Sequence, residues 1–266
     1  MALPEPLRSF WYAWELLNPR CVRTDWGVVM SDPRFPRVYE ENKACVLEPA
    51  PTLTLTELRR ELAPLLDRNG IGYEHIETMD LDEPCPAVAE LSGLAGRVRA
   101  DVVMVHVGSE AEHRPVTEPD TREIAEPDDA FWEVYRESRN EFGETMADDV
   151  VDELVRRDRE VLVPAGLRLF GGFIDGRLAG FTSLLSLGGV GYVDNVVTLQ
   201  PFRRRGVASA TVTLAVEAAR AGGDGEVFLM ADEGGDPQRL YERLGFRVAG
   251  RAGGFTNPRE PVGPTT

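Results

Sequence analysis

The chain has 266 residues, 42% of them hydrophobic, and a formal net charge of −16 with a pI of 4.7. That length calls for one large or two modest domains with a real core. The acidic balance excludes a general nucleic-acid binder, which needs basic surface against phosphate, and favours a cationic substrate.

From the N-terminus, Trp11, Trp14 and Trp26 are expected to serve the first domain's core or an interdomain contact. Residues 26–30 read as a strand, followed by a turn punctuated by Pro33 and Pro36. Residues 52–66 read as a helix: Thr54 and Glu57 have capping-box spacing, and Leu55, Leu58, Leu62, Leu65 and Leu66 share one face. Gly70 and Gly72 end it before a strand at 73–79, and 101–106 is a further strand candidate. The only lysine is Lys43, a bias read as coding composition. His75, His106 and His113 stand in strand or linker contexts and are given no catalytic role. Three widely spaced cysteines, Cys21, Cys45 and Cys85, suit neither a disulfide framework nor a zinc site. No run reaches the ~18 apolar residues of a membrane span, and the first residues lack the features of a signal peptide. A cytoplasmic monomer or homodimer with reduced thiols, no metal and no membrane partner is expected.

Between residues 108 and 129 the sequence is acidic, broken by Pro115, Pro119 and Pro127, and without period; it reads as a linker with at most one short strand. Two helices come next, 129–142 and 144–157, split at Gly143. Strands at 168–174 and 178–187 then form a hairpin about Asp175-Gly176. Residues 191–198 are a β-branched strand. The turn after it carries Arg203, Arg204 and Arg205 into Gly206, where a helix opens with Val207, Ala210, Thr211, Leu214 and Ala218 on one face. Such a turn favours anions, because the first N–H groups of a helix are unpaired and its dipole end is positive. Residues 226–231 form the next strand. A helix and strand carrying Leu240, Tyr241, Leu244, Gly245 and Phe246 close the pattern, and a tail rich in glycine and proline is expected to fray after Phe255 and Thr256.

The run Arg203-Arg204-Arg205-Gly206-Val207-Ala208, followed at the usual separation by the leucine-tyrosine and leucine-glycine-phenylalanine motif, resembles the GNAT superfamily of acyl-CoA-dependent N-acetyltransferases. The resemblance covers roughly residues 128–255. The whole chain resembles tandem actinobacterial-type members, in which a degenerate first domain precedes an active one. It implies an α/β fold with a mixed sheet flanked by helices. The domains would then be 1–112 (α/β, without a cofactor motif), 113–128 (linker or short strand), 129–257 (acetyltransferase) and 258–266 (flexible tail).

What the resemblance implies for chemistry is transfer of an acetyl group from acetyl-CoA to a primary amine of a small cationic molecule. Arg203, Arg204, Arg205, Gly206, Val207, Ala208 and Ser209 would hold the pyrophosphate. Val196, Val197 and Thr198 would pair with the pantetheine arm, with the Val197 N–H as oxyanion donor. Tyr241 would protonate the leaving thiolate. Asp194 would serve either as general base or as a carboxylate pairing with the amine, with Asp232 and Glu233 behind it. The alternative is a chain that binds acyl-CoA without turning it over.

Overall fold

The computed structural model describes residues 3–94, 97–108, 119–139 and 146–259. The chain divides into two compact units: Met1–Val103 with Ala231–Glu233 and Val248–Thr266, and Met104–Met230 with Gly234–Arg247. Each is a mixed sheet covered by helices, as the α/β reading expects. None of the described helices is long and apolar enough to cross a membrane. The expected split at Gly143, His113, most of the proline-broken linker and residues 260–266 lie outside the described residues.

The first unit opens with α1 (Glu5–Glu15), β1 (Val22–Arg23), β2 (Gly27–Ser31) and β3 (Asn42–Val46). It continues with α2 (Leu55–Arg68), β4 (Tyr73–Thr78), α3 (Pro86–Ser92) and the start of β5 (Arg97–His106). Strand β2 runs antiparallel to β3, which runs parallel to β4. Helix α2 begins where the sequence places it. Thr54 Oγ1 accepts the Glu57 N–H at 3.3 Å while a Glu57 oxygen accepts the Thr54 N–H at 3.0 Å, closing the capping box. Leu55, Leu58, Leu62 and Leu66 then enter a core shared with Trp26, Val29, Ile76 and Phe255.

Phe255 belongs to β11 (Phe246–Pro258), whose second half pairs antiparallel with β4 from Gly253↔Thr78 to Pro258↔Tyr73. The strand thus continues past the point where fraying is expected.

Strand β3 is buried throughout, polar residues included. Lys43 Nζ donates to Glu15 at 2.8 Å and to Glu77 at 2.6 Å. His75 links Glu77 (3.0 Å) to Thr256 (2.7 Å). Burial works against the charged lysine, yet the Glu15 and Glu77 carboxylates hold its pKa well above the ordinary value. Glu15, Cys45 and Glu77 bring ligand atoms within 4.8 Å of one another, but Lys43 is already the cation that the two carboxylates hold. Cys21, Cys45 and Cys85 are free thiols.

The second unit contains β6 (Asp120–Glu123), α4 (Asp129–Ser138) and α5 (Asp148–Arg157), the last running into a single π-helical turn at Asp158–Leu162. Next come β7 (Arg168–Ile174), β8 (Arg177–Leu187), β9 (Val190–Thr198), α6 (Val207–Ala221), β10 (Glu226–Asp232) and α7 (Asp236–Arg243). Strands β6 to β9 pair in sequence, all antiparallel, and β10 returns parallel to β9. At the β7–β8 turn Asp175 (φ 51°) and Gly176 (φ 73°) both lie in the left-handed region, the geometry that matches strand twist. Helix α6 presses onto this hairpin because Gly180 has no side chain. A Cβ there would lie 2.8 Å from Val207 Cγ1 and 2.3 Å from the Val197 carbonyl oxygen.

Candidate active site

Two features of β9 set up a site. Its pairing with β10 ends at Tyr192↔Phe228, whose rings stack at 4.7 Å, although β9 continues to Thr198 and β10 to Asp232. The strands therefore part, leaving the far half of β9 with an edge that β10 does not cover. On its other side β9 carries a bulge. Ser183 pairs with Asp194 and Phe181 with Val197, so Asn195 and Val196 together oppose Thr182. Asn195 takes φ 50°.

Backbone direction along this segment is set by two contacts. The Val197 carbonyl oxygen faces Gly180, and the Leu199 N–H donates to the Ala179 carbonyl at 3.0 Å. Both point at β8. Alternation along a strand then turns the backbone groups of Val196 and Thr198 away from β8, toward the parted edge. The oxyanion donor expected at Val197 is thus directed at β8, and Val196 is the residue facing the opening.

Beyond Thr198 the chain makes a 3₁₀ turn, Gln200–Phe202, whose Phe202 packs with Ile174, Ala179 and Val207. Arg203, Arg204 and Arg205 come next, all exposed. Arg203 Nε donates to the Thr198 carbonyl at 3.3 Å, and Arg204 sits at φ 65°. Gly206 (φ 81°) is the N-cap of α6 and supplies no capping side chain. The first helical bond runs from the Ala210 N–H to the Gly206 carbonyl at 3.0 Å. Three N–H groups, of Val207, Ala208 and Ser209, are left at an uncapped helix start beside three guanidiniums, which is the arrangement an anionic phosphate needs. A cavity of about 260 Å³ lies on the hairpin side of Arg205, against Ile174 and Asp175, but none of the β9 residues line it.

Asp194 is half-buried on β9. Burial pushes its carboxyl up; a backbone N–H at Asn195 and the guanidiniums of Arg139 and Arg157 pull the other way, and Asp158 adds to the rise. Behind it stands a connected polar cluster. Tyr135 donates to Asp158 at 2.6 Å, and Arg157 to the other Asp158 oxygen at 3.0 Å. Arg139 donates to Asp158 at 2.7 Å, to Asn195 Oδ1 at 2.8 Å, and to the Tyr135 hydroxyl. Burial, with Asp158 beside it, raises the Tyr135 phenol well above its ordinary value, so it remains a donor. Removing one member of such a buried set typically costs about 3–5 kcal/mol.

Tyr241 is the one buried residue of α7 and meets Phe246 edge-on at 6.1 Å. The second-choice carboxylates are occupied: Glu233 pairs with Arg251 at 2.6 Å and Asp232 lies 3.6 Å from Arg99, all within the first unit. His106 packs on Phe246, and burial lowers its pKa.

Sequence reasoning passes over Tyr135, Arg139, Asp158 and Asn195. Two signals are present nonetheless. Tyr135 and Arg139 are a polar pair at i, i+4 on the face that buries Phe131 and Trp132, and the Asp194-Asn195 pair, two poor strand formers inside a run of β-branched residues, marks an interruption of the strand.

The sequence profile of the acetyltransferase (GNAT) family matches residues 128–246. This part of the chain is a GNAT domain. Solved structures similar to the chain include a GCN5-related N-acetyltransferase from Kribbella flavida, with TM-score 0.68 and 18% identity over 98% of each chain. A functionally unknown conserved protein from Staphylococcus epidermidis gives TM-score 0.69 at 11% identity, over 90% of this chain and 93% of its own. A tandem GNAT protein from the clavulanic acid biosynthesis pathway gives TM-score 0.54 at 17% identity, over 78% and 70%. At these identities the likeness is one of fold. No curated protein sequence matches the chain. Within the GNAT domain fall the parted strands, the arginine turn, Asp194, the Arg139 cluster and Tyr241.

Proposed function

We propose that the GNAT domain transfers the acetyl group of acetyl-CoA to a primary amine of a small cationic molecule, by direct attack on the thioester. The observation that carries this reading is the continuity of one surface. The uncovered edge of β9 leads directly into a helix start flanked by Arg203, Arg204 and Arg205, giving a hydrogen-bonding track for an extended arm and an anion site at its end.

In this reading the arginines and the N–H groups of Val207, Ala208 and Ser209 hold the pyrophosphate. Val196 and Thr198 offer backbone groups to the arm, and the Val196 N–H stabilises charge developing on the thioester oxygen. The cosubstrate supplies an activated acyl carbon and a thiolate leaving group. Asp194, its pKa raised by burial, takes a proton from the incoming ammonium, directly or through a water. Tyr241 gives a proton to the thiolate. A net charge of −16 favours approach of a cationic acceptor.

The test is free-thiol release from acetyl-CoA across a panel of primary amines, beside calorimetric titration of acetyl-CoA alone. Amine-dependent release is expected. Binding without release for any amine would make the chain an acyl-CoA sensor, and failure to bind acetyl-CoA would remove the reading altogether.

A further inference from the structure

The bulge of β9 turns on one residue. Asn195 is held at φ 50°, a left-handed conformation that asparagine tolerates better than most side chains but that a continuous extended strand does not use, so its surroundings decide whether it is kept. The surroundings here are two hydrogen bonds to its amide: Arg139 Nη1 donates to Oδ1 at 2.8 Å, and Nδ2 donates to Ser183 Oγ at 3.2 Å. Arg139 is itself fixed. Asp158 and Tyr135 take its other terminal nitrogen, and Arg157 anchors Asp158 from the far side. The chain of contacts thus runs from α5 and its π-helical turn, through the end of α4, to one backbone kink.

The kink governs the residue immediately after it. Val197 and Leu199 keep their backbone groups on β8, which turns Val196 to the parted edge, while the exact aim of its N–H depends on the Asn195 backbone, because that N–H lies in the peptide plane joining the two residues. If Asn195 relaxed to an extended conformation, the extra residue would be absorbed elsewhere and Val196 would turn.

We propose that Arg139 is a positioning residue: by gripping the Asn195 amide it fixes the β9 bulge and so aims the Val196 N–H at the thioester carbonyl. The proposal rests on the acyl-CoA reading above and adds to it a named origin for the donor's direction. Arg139 touches no reacting atom; it acts through Asn195.

The experiment uses the full chain and acetyl-CoA labelled with carbon-13 at the carbonyl. In the wild type, the bound carbonyl resonance should move downfield of its free position, as a well-aimed donor polarises the bond. Arg139→Gln and Asn195→Ala should each bind acetyl-CoA within about threefold of wild type, since the arginine turn is untouched, yet lose at least half of that displacement. The double variant should lose no more than either single one. Asn195→Asp, which keeps an oxygen for Arg139, should retain the displacement. Asn195→Ala leaves the Arg139 charge in place, so it separates aim from any influence of that charge on Asp194; it also decides the matter if Arg139→Gln does not fold. An undiminished displacement in Asn195→Ala overturns the proposal. Tight binding with no displacement in the wild type overturns it while sparing the acyl-CoA reading. A wild type that does not bind acetyl-CoA removes both.

Discussion

Asp194 shows at the scale of one side chain how burial links chemistry to stability. Its carboxyl is raised above the ordinary 3.8, so the folded chain keeps that proton to higher pH than the unfolded one. Its stabilising contribution is therefore present below the ordinary value and lost as pH rises through the raised one. Asp194→Asn should melt above the wild type at neutral pH, with the gap closing as pH falls toward 3.8, and should lower turnover by about 10²–10⁴. A variant that melts lower at neutral pH would contradict this. Arg203→Ala and Arg205→Ala each remove a charge-assisted hydrogen bond of about 1.5–3 kcal/mol in the proposed complex, or roughly ten- to a hundredfold in acetyl-CoA affinity. Calorimetry at two salt concentrations checks both the loss and its weaker salt dependence. Tyr241→Phe should leave affinity near wild type and lower turnover under conditions where chemistry limits the rate; full turnover would return Tyr241 to packing alone.

Among the elements, those with a local signature are legible in the sequence and those without one are not. The Asp175-Gly176 hairpin, the Thr54 cap and the glycine that opens α6 each follow from a few adjacent residues with special backbone or capping needs. Strand β3 is hidden because it buries Asn42 and Lys43, which interrupt any apolar pattern; the partners of Lys43, Glu15 and Glu77, lie far away in sequence. The buried stripe of α6 is displaced by one step from the expected one. The helix buries Val207, Thr211, Val212, Ala215, Val216 and Ala219, while Leu214 and Ala218 stay half-exposed, because alanine-rich sequence leaves the face weakly marked. At the site, the anion turn is visible as a contiguous motif. The bulge and its Arg139 brace are not, since they join α4, α5 and β9 across more than fifty positions. The close approach of α6, β8 and β9 gives a further prediction. Gly180→Ala would place a Cβ 2.3 Å from the Val197 oxygen, so it should cost about 1–3 kcal/mol by thermal or urea unfolding and weaken acetyl-CoA binding by shifting β9.

For the molecule as a whole, the path of β11 decides what can fold with what. Its last residues pair with β4, and Phe255, 2% exposed, sits in the core built by α2. Phe255→Ala should therefore destabilise the first unit by about 3–5 kcal/mol. Trp11, Trp14 and Trp26 lie in that unit and Trp132 in the other, so in a Trp132→Phe background urea-monitored fluorescence reports the first unit alone; an unchanged midpoint would contradict the assignment. A fragment ending before residue 248 should lack a stable first unit for the same reason. During synthesis this arrangement imposes a wait. Val103 leaves the ribosome about 145 residues before Val248, the difference of the two positions, which at roughly 5–20 residues per second is about 7–29 s. For that interval the nascent chain carries β4 with an unpaired edge, the template on which foreign strands add. The N-terminal unit is thus the last to be completed, although it is the first to be made.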